Sequence, residues 1–135
     1  MVVDTSALLA FFDSNEPQHE AVSAALQAAD EPFIVSPYVI AELDYLVLSR
    51  HGVAAQREVL GELTGGAWEL AHMDRERLQT VMLVVEQYSD VPEGAADASN
   101  MVLAQAYGTR TIATLDRRHF TILRFSDGSA PHLLP

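Results

Sequence analysis

Hydrophobic positions along this chain alternate between short, unbroken apolar runs and longer stretches at helical spacing, the pattern of β-α-β units wound into a parallel sheet. Met1–Val3 reads as the first strand and Thr5–Phe12 as a helix directly after it. A polar break follows, then a second helical stretch from about Pro17 to Ala29, and Phe33–Val35 as strand two. Ser36-Pro37 marks a helix start, serine able to cap the free amides and proline pre-set for the first helical position. On that helix Val39, Leu43, Leu46 and Val47 form the apolar stripe, Glu42 falls in the second turn and Gly52 is the stop. Val53–Leu63 returns as a helix ended by Gly65-Gly66, and Trp68–Ala71 is strand three. Asp74 opens a helix to about Tyr88, with Leu78, Met82 and Val85 on one face; Pro92 and Gly94 interrupt the pattern. From Ala95 or Ala96 to Tyr107 the spacing predicts another helix, with Asp97 in its first turn and Gly108 beyond its end. Strand four is Thr111–Leu115, and the tail offers an edge strand in Thr121–Phe125 or around His132–Leu134. The fold class is α/β, in one domain spanning residues 1–135.

Against that frame, four acids stand out by position. Asp4 closes the first strand and Asp116 closes the fourth, so both are expected at the carboxyl edge of one parallel sheet, where ligands of open α/β folds bind. Glu42 and Asp97 lie early in the helices that follow strand two and precede strand four. Taken singly, each has an ordinary structural role as a helix cap, a dipole partner, a turn residue or part of a solvated face. Brought together they would repel strongly, by roughly 4 kcal/mol for two unit charges 4 Å apart at an effective dielectric near 20. A divalent cation resolves that conflict, and Mg²⁺, with Mn²⁺ as a substitute, suits an all-oxygen set. Such a site points to phosphodiester hydrolysis by a metal-activated water. Asp4 and Asp97 are assigned the direct contacts, Glu42 a supporting or water-activating role, and Asp116 a share in the same or a second ion.

Composition narrows the choice. Nineteen acids against eight basic residues give a formal charge of −11, which excludes a general electrostatic grip on nucleic acid. All eight basic residues are arginines, and Arg110, Arg117, Arg118 and Arg124 fall around Asp116; Arg117 and Arg118 are the candidate substrate-phosphate contacts. There is no cysteine, hence no disulfide, thiolate site or thiol nucleophile, and the five histidines show no zinc-site spacing. His119 is the one near the acids. Trp68, Phe33 and Phe120 read as core rather than base-stacking platforms. Unbroken apolar runs such as Val81–Val85 are far below the roughly 20 residues of a spanning helix, and a strand beginning at Met1 leaves no room for a signal peptide; the expectation is a soluble cytoplasmic protein with no membrane partner.

The strand ending in Asp4-Thr5-Ser6, Ser36-Pro37 with Ala41-Glu42-Leu43, Gly94 with Ala96-Asp97-Ala98, and Thr114-Leu115-Asp116-Arg117-Arg118-His119-Phe120 together resemble the PIN domain, specifically VapC-type toxins of bacterial toxin-antitoxin pairs. The resemblance implies a three-layer α/β/α fold with a central parallel sheet of four to five strands. It also implies a metal-dependent endoribonuclease acting on structured RNA such as tRNA or rRNA, usually a homodimer, held inactive by a VapB-type antitoxin. The quartet Asp4, Glu42, Asp97 and Asp116 carries over as the metal-binding and catalytic acids, with Ser6, Thr114 and Asn100 as their supporting shell. Glu93-Gly94-Ala95-Ala96 stands where the family often shows a more apolar approach to the third acid. A receiver-like or haloacid-dehalogenase-like reading fails because both chemistries use a lysine and the chain has none. The competing reading is a catalytically silent PIN-like binding module.

Overall fold

The computed structural model describes residues 1–91 and 94–135; Pro92 and Glu93, which belong to the interruption and the altered approach noted above, lie outside them. Five strands, β1 (Val2–Val3), β2 (Phe33–Val35), β3 (Trp68–Leu70), β4 (Thr111–Ala113) and β5 (His132–Leu134), form one parallel sheet in the order β3-β2-β1-β4-β5. The first strand is therefore the central one, with Val2 in register with both Ile34 and Ile112.

Side chains alternate across a strand, so each strand feeds two cores. Val3, Val35 and Ala113 pack with α1 (Thr5–Phe12), α2 (His19–Ala28) and α3 (Pro37–Leu63) on one face. Val2, Ile34 and Ile112 pack on the other with α5 (Ala95–Ala106) and the Phe120, Leu123 and Phe125 segment. Helices on both faces give the α/β/α sandwich expected from the sequence. Trp68 and Phe33 are core, in an aromatic cluster with Phe11 and Phe12, and Phe120 is buried on the opposite face.

Several local expectations are refined. The Gly52 stop is real: its backbone takes φ 83° and ψ −177°, separating two helical stretches within α3. A Cβ there would meet nothing within 4 Å, so the cost of a side chain is purely conformational. Gly52→Ala is expected to lose about 1–3 kcal/mol of stability in urea unfolding, because extended backbone at positive φ is open to little besides glycine. Regular pairing in β3 ends at Leu70 and in β4 at Ala113, one and two residues short of the predicted limits. Thr121–Phe125 forms no strand: α6 (Arg117–Phe120) precedes it, and Phe120, Leu123 and Phe125 reach the core at irregular spacing. Of the two tail segments, only His132–Leu134 joins the sheet, as the edge strand β5. The Leu78, Met82 and Val85 face of α4 (Arg75–Gln87) points outward, Met82 being 58% exposed, while Val81 supplies the helix's buried contact.

Candidate metal centre

Asp4 stands at the end of the central strand, its amide donating to the Ala113 carbonyl at 2.9 Å. It occupies the cap position of α1, yet its side chain makes no capping bond. The carboxylate is instead held by three other side chains. Asn100 Nδ2 donates to Oδ1 at 3.0 Å, and the Ser6 and Thr114 hydroxyls each donate to Oδ2 at 2.9 Å. With Asp4 only 5% exposed, these bonds fix its orientation and offset its desolvation. Ser6 also accepts the Leu115 amide at 2.9 Å, and Thr114 accepts the Asp116 amide at 3.1 Å, so the same hydroxyls shape the turn carrying the fourth acid.

A second tie orients the two helices that bring Glu42 and Asp97. The buried Ser36 and Ser99 hydroxyls bond at 2.7 Å, joining the start of α3 to the first turns of α5. Ser36 accepts the Tyr38 amide as the expected cap, and Ser99 donates to the Ala96 carbonyl. The result is one cavity of about 320 Å³ lined by all four acids together with Thr5, Ser6, Leu9, Leu46 and backbone around Gly94 and Ala96.

The acids do not share one electrostatic condition. Burial pushes the Asp97 carboxyl up, against the lowering effect of its bond from His119 and with Asp4 and Asp116 raising it further. Partial burial likewise raises Glu42, helped by the charges on Asp4 and Asp97. Asp116 is lowered, chiefly by its hydrogen bond from Arg118. Among the described residues no three metal-binding side chains are gathered so as to hold an ion as they stand. Two of the four acids are turned to neighbours: Arg118 grips both oxygens of Asp116, from Nε at 2.9 Å and Nη2 at 2.6 Å, and His119 Nδ1 meets Asp97 Oδ2 at 2.5 Å.

The residues nonetheless fit a divalent cation. The donors are hard oxygens, and Glu42 and Asp97 are both repelled by the Asp4 charge, a strain that a cation would relieve. Thr5 Oγ1, in a residue 4% exposed on the cavity wall, has no hydrogen-bond partner, and the buried Asn100 Oδ1 has none either. Buried polar atoms are rarely left without a partner, so these two oxygens mark unmet polar demand in the wall beside the acids.

Thr5 lines the same cavity and was passed over in the sequence. Its signal was the run of three polar residues, Asp4-Thr5-Ser6, straight after an apolar strand. Of the four clustered arginines, only Arg118 lies on a quartet acid. Arg117 donates to the Pro135 carbonyl, Arg110 pairs with Asp127, and Arg124 bonds the Thr121 and Leu123 carbonyls.

A family model described as the PIN domain matches residues 1–125. The chain belongs to the PIN-domain family. Within it, the sequence is 52% identical over 135 residues to Ribonuclease VapC26 of Mycobacterium tuberculosis strain H37Rv, covering 100% of both chains. This PIN domain also superposes on the crystal structure of VapC20 from the same organism with a TM-score of 0.83 at 16% identity, covering 99% of this chain and 98% of that one. The FitAcB structure from Neisseria gonorrhoeae matches at a TM-score of 0.70 and 17% identity, over 99% and 96% of the two chains. These structural matches extend the fold, and the VapC kinship rests on the sequence match. No helix of the described residues is long and apolar enough to cross a membrane.

Proposed function

We propose that this chain is a Mg²⁺-dependent endoribonuclease toxin that hydrolyses phosphodiester bonds in structured RNA, tRNA or rRNA, in the cytoplasm. The observation that carries the reading is the convergence of Asp4, Glu42, Asp97 and Asp116 on one cavity. Kinship at 52% identity with a VapC ribonuclease supports it. The structural neighbour VapC20 is a toxin that cleaves the sarcin-ricin loop, which favours rRNA among the substrates to be tried. Neighbours solved as toxin-antitoxin assemblies support neutralisation by a VapB-type antitoxin. Homodimer formation belongs to the same proposal.

Asp4, Asp97 and Asp116 would hold the cation, with Ser6, Thr114 and Asn100 keeping Asp4 in place. When bound, a divalent ion supplies a water of lowered pKa and stabilises charge developing on the phosphoryl oxygens. Glu42, its carboxyl raised by burial, accepts the proton of the attacking water. Arg118, exposed on α6, meets the RNA phosphate. The strongly acidic surface confines RNA contact to this arginine-bearing rim.

The test is incubation of purified protein with total tRNA and rRNA in Mg²⁺, Mn²⁺ or EDTA. Discrete fragments that appear with either ion and vanish in EDTA are expected. Absence of cleavage on both RNA pools with metal present favours the silent binding module instead.

A further inference from the structure

Arg118 and Asp116 are two residues apart on the turn into α6, and their side chains form a two-pronged pair. The guanidinium matches both carboxylate oxygens, the geometry in which arginine binds carboxylate most strongly. It thereby engages both oxygens that Asp116 would offer an ion. The next residue, His119, stands on Asp97 from the same short helix, so α6 sits across two of the four acids at once. Arg117 differs: on the same helix and with the same charge, it reaches away to the Pro135 carbonyl. Among the described residues Asp4 is engaged by neutral groups, from Asn100, Ser6 and Thr114, which leave its negative charge uncompensated.

We propose that Arg118 is an internal competitor for the metal: its guanidinium occupies Asp116 in the resting protein and must leave that carboxylate before Asp116 can join the ion. The inference rests on the metal reading above and goes beyond it by giving one side chain two alternative partners. Release turns Arg118 from a carboxylate ligand into a free cation at the cavity mouth, where an RNA phosphate is its natural replacement. Arg118 is therefore a positioning residue for the metal, and metal uptake and phosphate binding favour one another through it.

The experiment measures Mn²⁺ affinity by electron paramagnetic resonance, without RNA, for the wild type, Arg118→Ala and Arg117→Ala. Freeing Asp116 is expected to tighten Mn²⁺ binding roughly fivefold in Arg118→Ala, the upper range for an exposed ion pair. Arg117→Ala removes the same charge without touching Asp116 and is expected to change affinity by less than about twofold at 0.15 M salt. Equal tightening in both variants would reduce the effect to net charge and overturn the proposal, as would unchanged or weaker binding in Arg118→Ala. A second readout is the Arg118 Nε–H resonance. It should be protected from solvent exchange in EDTA, lose protection in Asp116→Asn, and lose it in the wild type on adding Mg²⁺. Protection persisting in the Mg²⁺-loaded protein also rejects the competitor. If neither wild type nor Arg118→Ala takes up Mn²⁺, the metal reading itself fails, a result distinct from metal binding that ignores Arg118.

Discussion

Asp4→Asn is expected to lower RNA cleavage by about a thousandfold, the rate equivalent of roughly 4 kcal/mol, while leaving the fold in place. The two halves of that expectation have separate causes. Asp4 is the acid whose orientation is most completely set, with both oxygens bonded and the side chain buried at the centre of the sheet. In the proposed reading, removing its charge removes the anchor of the ion. The asparagine amide has the same shape: its oxygen still accepts from Asn100, and its NH₂ can donate to the Ser6 and Thr114 hydroxyls once these rotate. Circular dichroism and the melting temperature in EDTA should stay close to wild type. Cleavage at more than about a tenth of the wild-type rate, less than the ~1.4 kcal/mol of a tenfold effect, would remove Asp4 from the catalytic set.

Mg²⁺ at a hundred times its dissociation constant is expected to stabilise the wild type by about 2.7 kcal/mol, roughly 8 °C in melting temperature for a chain of this length, and to leave Asp4→Asn unmoved. The effect has a predictable pH dependence. Asp97 and Glu42 are both raised in the folded protein, so without metal the unfolded chain releases these protons first. Their contribution is favourable below the ordinary values, 3.8 for Asp and 4.5 for Glu, and is lost as pH rises through the folded values. Asp116 runs the other way: lowered by Arg118, it stabilises at neutral pH, and that contribution fades as pH falls through its folded value. A cation requires the ionised forms. The Mg²⁺-induced shift in melting temperature should therefore be larger at about pH 7.5 than at about pH 5. A shift independent of pH across that interval would exclude carboxylates as the ligands.

The quartet was legible because each acid falls where a periodic pattern starts or stops, and such positions are local properties of sequence. Gly52 was legible for a similar reason, since a glycine ending one apolar stripe before another begins marks a break. What could not be read was which way exposed side chains turn. Arg118 and Arg117 are adjacent and chemically identical, yet one bonds a site acid and the other the chain end. The α4 stripe fails for a different reason. Helical spacing reports which residues share a face, but not whether anything covers it, and here Val81 alone is buried. Thr5 was hidden beside Asp4 because capping and turn roles explain a threonine after a strand until its hydroxyl is found without a partner.

The placement of β1 at the middle of the sheet has a consequence for how the protein comes into being. Val2 and Val3 pair with Ile112 and Ala113, and Asp4 is held by groups at positions 6, 100 and 114. Contacts across more than a hundred residues close late, because the loop entropy must be met before they contribute. A nascent chain stopped short of β4 carries Asp4, Glu42 and Asp97 but lacks Thr114, Asp116 and the strand that flanks the first acid. Such a fragment has no assembled centre. At synthesis rates of about 5–20 residues per second, several seconds pass before β4 and Asp116 are made, and through that time the growing polypeptide lacks the full set of acids.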